Sequence, residues 1–226
     1  IRALGGKGSK AKTGRLWVYE RHYRLAGLHA PPAYGSNTHP AATSSTPQLT
    51  SALDGIPQAD AFVGYGQLYV GERLVEAACW GHARRKLWDN HERQHRLPVT
   101  LAHQELERIA EIFEVESEIR ARSALWRRRM RQVRTQPILK ELQAWMNETT
   151  TQVSAKLPLA QAICYALSNW SALVRDVDEG RIEAENNAAE RVLRAVTIGR
   201  KNFLRLGSEA GGEIAAVIYT PIGGIT

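Results

Sequence analysis

The chain has 226 residues, 43% of them hydrophobic, enough to bury a core in one large domain or in one core with an insertion. Lys and Arg number 30 against 23 Asp and Glu, a formal net charge of +7, and the sequence pI is about 9.6, so a polyanionic partner is expected, nucleic acid before membrane. Two widely separated cysteines, Cys79 and Cys164, argue against a disulfide scaffold and fit a reducing cytosol; no apolar run approaches the roughly 20 residues that span a bilayer.

The first 14 residues, "IRALGGKGSKAKTG", read as a flexible basic arm with no features of a signal peptide. "RLWVYERHYR" (15–24) alternates aromatic and β-branched residues with polar ones and predicts a strand. Residues 25–55 are rich in Pro, Ser, Thr, Ala and Gly and show no period. A structureless stretch of that length is unusual inside a compact domain. "IPQADAFVGYGQLY" (56–69) predicts a short strand running into a short helix. "LVEAACWGHARRKLWDNHER" (74–93) predicts a buried strand followed by a helix starting near His82.

Apolar residues Ala102, Leu106, Ile109 and Phe113 recur at helical spacing, and the helical pattern runs from about 101 to 134. Its first half carries Glu105, Glu107, Glu111, Glu114, Glu116 and Glu118. Its second half carries Arg120, Arg122, Arg127, Arg128, Arg129, Arg131 and Arg134. Acid early and base late suits the helix macrodipole and reads as a solvated helix or helical hairpin. Residues 137–153 predict a further amphipathic helix with Pro137 in its first turn, and 158–180 another that ends at Gly180. "EAENNAAERVLRAVTIGRKN" (183–202) follows, then a Gly-rich turn and a helix from about Glu213.

Several residues invite chemistry, each beside a plainer reading. Asp60 stands at the expected C-terminal end of a strand, where open sheets bind ligands, and where a carboxylate also caps a helix. Glu190 shares a helical face with Asn186 and Arg194: it suits a surface pair or a ligand to a divalent metal such as Mg²⁺. Cys79-x-x-His82, with His91 and His95 downstream, suggests zinc, but the two close ligand pairs of a structural site are missing. The basic clusters at 82–86, 127–134 and 199–202 suit either phosphate contacts or solvated faces.

"KTGRLWVY" (12–19), "GIPQADAFVGYGQLY" (55–69), "EAACWGHARRKL" (76–87), "LPLAQAICYALSNWSALVRDVDEGRIEAENNAAERVLRAVTIGRKNFL" (157–204) and "GSEAGGEIAAVIYT" (207–220) together resemble the bacterial transposases of insertion-sequence family sixty-six. The resemblance covers most of the chain outside 22–54. It implies an α/β fold: an incomplete RNase H-like core with an all-helical insertion. Residues 1–91 would be the N-terminal part of the core, with 22–54 irregular. Residues 92–157 would be the insertion, and 158–226 the C-terminal part carrying the third acidic residue.

The resemblance further implies a DDE-type site that holds Mg²⁺ or Mn²⁺ through three carboxylates. Asp60 matches the second and Glu190 the third. Nothing in the sequence matches the first aspartate. Asn186 and Asn187 belong to the same motif as Glu190 and would orient the glutamate or a phosphate. Glu185 stands where the family commonly has Asp. Arg84, Arg85, Lys86, Arg191, Arg194, Arg200 and Lys201, with the two asparagines, would contact DNA, namely insertion-sequence ends and target. Self-association in a transposition complex and a bacterial cytoplasmic location follow from the same resemblance. With two of three carboxylates present, the chain is expected to be an inactive, truncated and partly decayed copy. The alternatives are a non-catalytic DNA-binding remnant and an unstable product with no role.

Overall fold

The computed structural model describes the backbone of residues 2–3, 12–21 and 33–40, and residues 56, 58, 75–93, 100–187, 190, 194 and 214. Strands β1 (Arg2–Ala3), β2 (Lys12–Arg21) and β3 (Ala33–Pro40) form an antiparallel ribbon in the order β1-β2-β3, with Trp17 opposite Asn37 and Tyr19 opposite Gly35. β2 occupies the stretch whose alternating pattern predicts a strand. β3 falls within 22–54, the segment read as irregular.

The helical body consists of α1 (Trp80–Arg93), α2 (Leu101–Glu118), α3 (Ala124–Met130), a π-helical turn (Arg131–Thr135), α4 (Gln136–Gln152), α5 (Pro158–Ser168), α6 (Trp170–Leu173) and α7 (Arg175–Asp178). Local chemistry sets the ends. The Thr100 hydroxyl accepts from the His103 amide to cap α2, and Ser123 does the same for Trp126 at the start of α3. Pro158 sits in the first turn of α5, where a missing N–H costs nothing; Pro137 stands at the start of α4 directly after the π-helical turn, and the backbone stays right-handed helical through that junction at Thr135 and Gln136.

Of the two readings of 101–134, one helix or a helical hairpin, the structure has the hairpin: α2 ends at Glu118 and α3 begins at Ala124. Ala121 takes a left-handed backbone angle of φ 60, the only positive φ at a non-glycine among the described residues, and the chain reverses there. The expected helix over 158–180 is likewise broken, at Asn169 and Val174, into α5, α6 and α7.

One apolar core joins these pieces. Trp80 and Leu87 of α1, Leu106, Ile109 and Ile112 of α2, Leu142 and Met146 of α4, and Ile163 of α5 interdigitate with Leu173, Val177 and Ala184. Trp80 is the centrepiece: fully buried, edge-on to Trp170 at 5.8 Å, with its indole N–H donating to the Leu173 carbonyl at 3.0 Å.

The expected α/β, RNase H-like core is not what the described residues form. That architecture needs a mixed sheet with helices on its faces. Here strands pair with strands and helices pack on helices, and the one parallel pairing among the described residues is the isolated bridge between Gln58 and Ala77. The buried strand expected at the start of 74–93 is, among the described residues, only that bridge, and α1 begins at Trp80, two residues before His82. A short apolar run fits a strand or a buried approach to a helix equally well, and packing against Leu173 and Ala184 decided it.

The second half of the acid-then-base pattern is not solvated throughout. With the chain reversed at Ala121, α3 and the π turn fold back on the end of α2. Arg131 is fully buried and donates to both oxygens of Glu116, at 2.7 and 2.6 Å; Arg134 pairs with Glu118. Arg127, 1% exposed, donates to Glu183 at 2.7 Å and to the Ile182 carbonyl at 2.9 Å. Segregated charges therefore pair across a hairpin, and neither Arg127 nor Arg131 reaches a phosphate.

Candidate functional site

The first turn of α1 meets the segment that follows α7. Cys79 directly precedes α1, and its carbonyl accepts from the amides of His82 and Ala83 at 3.2 and 3.4 Å. This hydrogen-bonded turn brings Cys79 and His82 to the same end of the helix. The Trp80 amide donates to the Ala184 carbonyl at 2.9 Å, and the Asn186 amide donates to the Cys79 sulfur at 3.2 Å. Two stretches more than a hundred residues apart in sequence are stitched together by one backbone pair, Trp80 with Ala184, and by the Asn186 amide on the Cys79 sulfur, 107 residues away.

On that seam the polar side chains converge. The Glu190 amide donates to the Asn186 carbonyl at 3.1 Å, one helical turn that brings the Glu190 carboxylate back over α1. Its Oε1 lies 3.6 Å from Nε2 of His82, with side chains 48% and 35% exposed respectively. One donor atom each from Cys79, His82 and Glu190 lie within 4.8 Å of one another. Asn187 donates through Nδ2 to Glu185, whose carboxylate lies beside Gly81; a Cβ added there would stand 3.5 Å from Glu185 Oε1 and 3.4 Å from the Cys79 sulfur.

The structure thus gathers part of the residue set that the sequence proposes. Glu190, Asn186 and Asn187 lie on one seam with the Cys79–His82 turn. Asp60, Arg191, Arg200 and Lys201 lie outside the described residues. Arg194 is exposed on a helical segment. Arg84, Arg85 and Lys86 are exposed on α1, one turn along from His82. Each of the three also has an internal contact. The Arg84 guanidinium lies 5.9 Å from the Phe113 ring centroid, Arg85 pairs with Asp89 at 3.3 Å, and the Lys86 ammonium stands 4.5 Å over the Tyr165 ring.

His91 is not among the donors gathered with Cys79 and His82, and His95 lies outside the described residues. His91 is buried, within 3.3 Å of the Thr100 hydroxyl through Nδ1, and stacked on His103 at 5.2 Å. What spacing missed is the third donor to the Cys79–His82 pair. It comes from Glu190, far along the chain, and no local period could reveal it. No helix among the described residues is long and apolar enough to cross a membrane.

The oxygen donors of Glu190, together with the Asn186 and Asn187 side chains on the same seam, are the hard ligands that Mg²⁺ or Mn²⁺ take; the Cys79 sulfur is not. A hard divalent cation therefore suits the Glu190 edge of the site and not its Cys79 edge.

The sequence matches the model of the family described as "Transposase IS66 family" over residues 1–214. It is 31% identical over 230 residues to "Uncharacterized protein y4hP" of Sinorhizobium fredii, 94% of this chain and 41% of that protein. It is 33% identical to "Uncharacterized protein y4jD" of the same organism, over 94% of this chain and 42% of that protein, and 34% identical to "Uncharacterized protein y4qI", over 95% and 41%. The chain thus spans about two-fifths of the length of these relatives. No solved structure matches it.

Proposed function

The chain belongs to the transposase IS66 family, and from that membership we propose that it forms part of the catalytic region of a DDE-type DNA transposase, with Asp60 and Glu190 as oxygen donors to Mg²⁺ or Mn²⁺. The observation that carries this reading is the seam itself. The Cys-Trp-Gly-His turn and the Asn-Asn-x-x-Glu motif, the two most distinctive stretches of the sequence, meet through the Asn186 amide and the Cys79 sulfur at 3.2 Å.

When bound, such a metal activates an attacking water or 3′-OH and stabilises the leaving oxygen of a phosphodiester. The residues of this chain do the rest. Glu190 is half-exposed and carried on a turn that backbone bonds fix to α1, so its carboxylate is placed before any ligand arrives. Arg84, Arg85 and Lys86 stand on the same helix end, with Arg194, Arg200 and Lys201 contributing further positive charge, and would hold the DNA backbone without reading its sequence. Asn186 and Asn187 would position the glutamate or a phosphate oxygen.

Strand transfer needs three carboxylates, and two are assigned in these 226 residues. Assayed alone, the chain is expected to bind DNA and to join no strands. The test pairs a mobility shift at increasing salt with donor-DNA cleavage in Mg²⁺ or Mn²⁺. Salt-sensitive binding with no strand transfer is the expected result. Robust metal-dependent transfer lost in Asp60→Ala and Glu190→Ala would overturn the inactivity and leave the family role standing. Absence of DNA binding at low salt would overturn the reading as a whole.

A further inference from the structure

We propose that Cys79, His82 and Glu190 form a binding site for one borderline-soft divalent cation of the zinc type, separate from the hard-cation chemistry of DNA strand transfer. The inference goes beyond the transposase reading and does not depend on it, although Glu190 serves in both.

Distances make the case first. The His82 Nε2 to Glu190 Oε1 separation of 3.6 Å is longer than a good N–H···O hydrogen bond. It is close to the edge of a zinc tetrahedron, about 3.3 Å for metal–nitrogen and metal–oxygen bonds of about 2.0–2.1 Å. The Cys79 sulfur completes a triangle whose corners all lie within 4.8 Å of one another. Zinc–sulfur bonds are longer, about 2.3 Å, so wider edges to the sulfur are what the geometry requires.

The chemistry of the donors points the same way. Thiolate and imidazole select Zn²⁺ or Co²⁺ over Mg²⁺ and Ca²⁺. A thiolate, a carboxylate and a neutral imidazole around a divalent ion sum to no net charge. The Asn186 amide that donates to the Cys79 sulfur at 3.2 Å fixes the direction of that side chain, the role outer-shell donors play in metal sites. Cys79 and His82 are held by one hydrogen-bonded turn, so two of three ligands are set by local structure. Cys79 is buried, whereas His82 and Glu190 are partly exposed, so a cation would reach the site from the His82–Glu190 side. Ligation by Glu190 Oε1 leaves Oε2 available to a hard cation, so one carboxylate can serve both sites.

The experiment uses the full chain, stripped of metal and titrated with Co²⁺ as the spectroscopic probe, with Zn²⁺ as competitor. The expected result is one equivalent bound, with thiolate-to-cobalt charge-transfer absorption and strong d–d bands of a four-coordinate ion, all removed by Zn²⁺. Cys79→Ser should abolish the charge-transfer absorption, and Cys164→Ser should leave it intact. Glu190→Gln and His82→Asn should weaken binding by at least about tenfold, the floor set by losses seen when only outer-shell partners are removed. Helical circular dichroism checks that each variant is folded. Glu190→Gln alters a half-exposed side chain, so the proposal stays testable if Cys79→Ser fails to fold. Absence of the charge-transfer absorption, its survival in Cys79→Ser, or unchanged affinity in Glu190→Gln would overturn the site. An intact cobalt signal in a chain that binds no DNA would overturn the transposase reading alone. DNA binding without a cobalt signal would overturn this site alone.

Discussion

Arg127 donates through Nη1 to Glu183 at 2.7 Å, and through Nη2 to the neighbouring Ile182 carbonyl at 2.9 Å. The first contact is a charge-assisted bond from a buried guanidinium to a part-exposed carboxylate, and it fixes α3 to the start of the segment that carries Asn186 and Glu190. Arg131, one turn on, donates to the same Ile182 carbonyl and to the Asp176 carbonyl, both at 2.9 Å. Two buried arginines therefore hold the approach to the seam, from beneath, by its backbone.

Arg131→Ala is expected to cost about 3–5 kcal/mol, the range for breaking a buried ion pair from one side. The loss strands Glu116 and the fully buried Asp176, whose carboxyl desolvation pushes up to about 7 although Arg131 stands 3.8 Å away. Urea denaturation followed by circular dichroism measures it. A loss below about 1 kcal/mol would show that the cluster is not coupled to folding.

Glu105 gives the fold a pH dependence. It is fully buried, with no hydrogen-bond partner for either oxygen among the described residues, and desolvation raises its pKa from 4.5 to about 8 against the opposing charge of Arg108. The folded state holds a proton that the unfolded state releases. The associated stability is complete below pH 4.5 and is lost as pH rises through 8. Glu105→Gln cannot ionise and should gain a few kcal/mol over the parent at pH 8 and little at pH 4. Thermal melts of the two proteins across that interval test the sign, and parallel pH profiles would count against it.

Gly180 is required for space. A Cβ placed on it would stand 1.8 Å from the Ala124 carbonyl oxygen and 2.7 Å from its carbon, both backbone atoms that cannot rotate away. Gly180→Ala should destabilise by about 1–3 kcal/mol or more, as overpacking does. The lower unfolded-state entropy of Ala would by itself predict a small gain, so the sign of the change in melting temperature separates the two.

Arg84→Ala and Arg85→Ala are expected to weaken DNA binding evenly across sequences, each lowering the salt slope by about one. Lys86→Ala should do less, because its ammonium already lies 4.5 Å over the Tyr165 ring. Mobility shifts at a series of salt concentrations provide the slopes. A sequence-dependent loss would mean base contacts instead.

The helices were legible where one apolar face meets one core, as at Ala102, Leu106 and Ile109 in α2, and where Pro137 announces a first turn. The ionic layer was not. Acids on α2 and bases on α3 look like two solvated faces until the reversal at Ala121 brings Glu116 against Arg131, and no residue type there demands a left-handed turn. Segregation was the available signal, since charges meant to pair within one helix are interleaved at i and i+4. The α/β expectation came from family resemblance; where the stretch 74–93 was expected to open on a buried strand, the described residues have only the Gln58–Ala77 bridge. At the candidate site, Cys79 and His82 could be read as a ligand pair, but only the fold supplies Glu190.

The bond from Asn186 to Cys79 also governs the order in which the molecule can be made. Its partners are 107 residues apart, so the first turn of α1 leaves the ribosome long before the carbonyl and amide groups that complete it. Until Ala184 and Asn186 emerge, Trp80 lacks its backbone acceptor and the Cys79 sulfur lacks its N–H donor. A nascent chain arrested before 184 would therefore hold the core around Trp80 without Ala184 and without either bond of the seam, which closes only near the end of translation of this stretch.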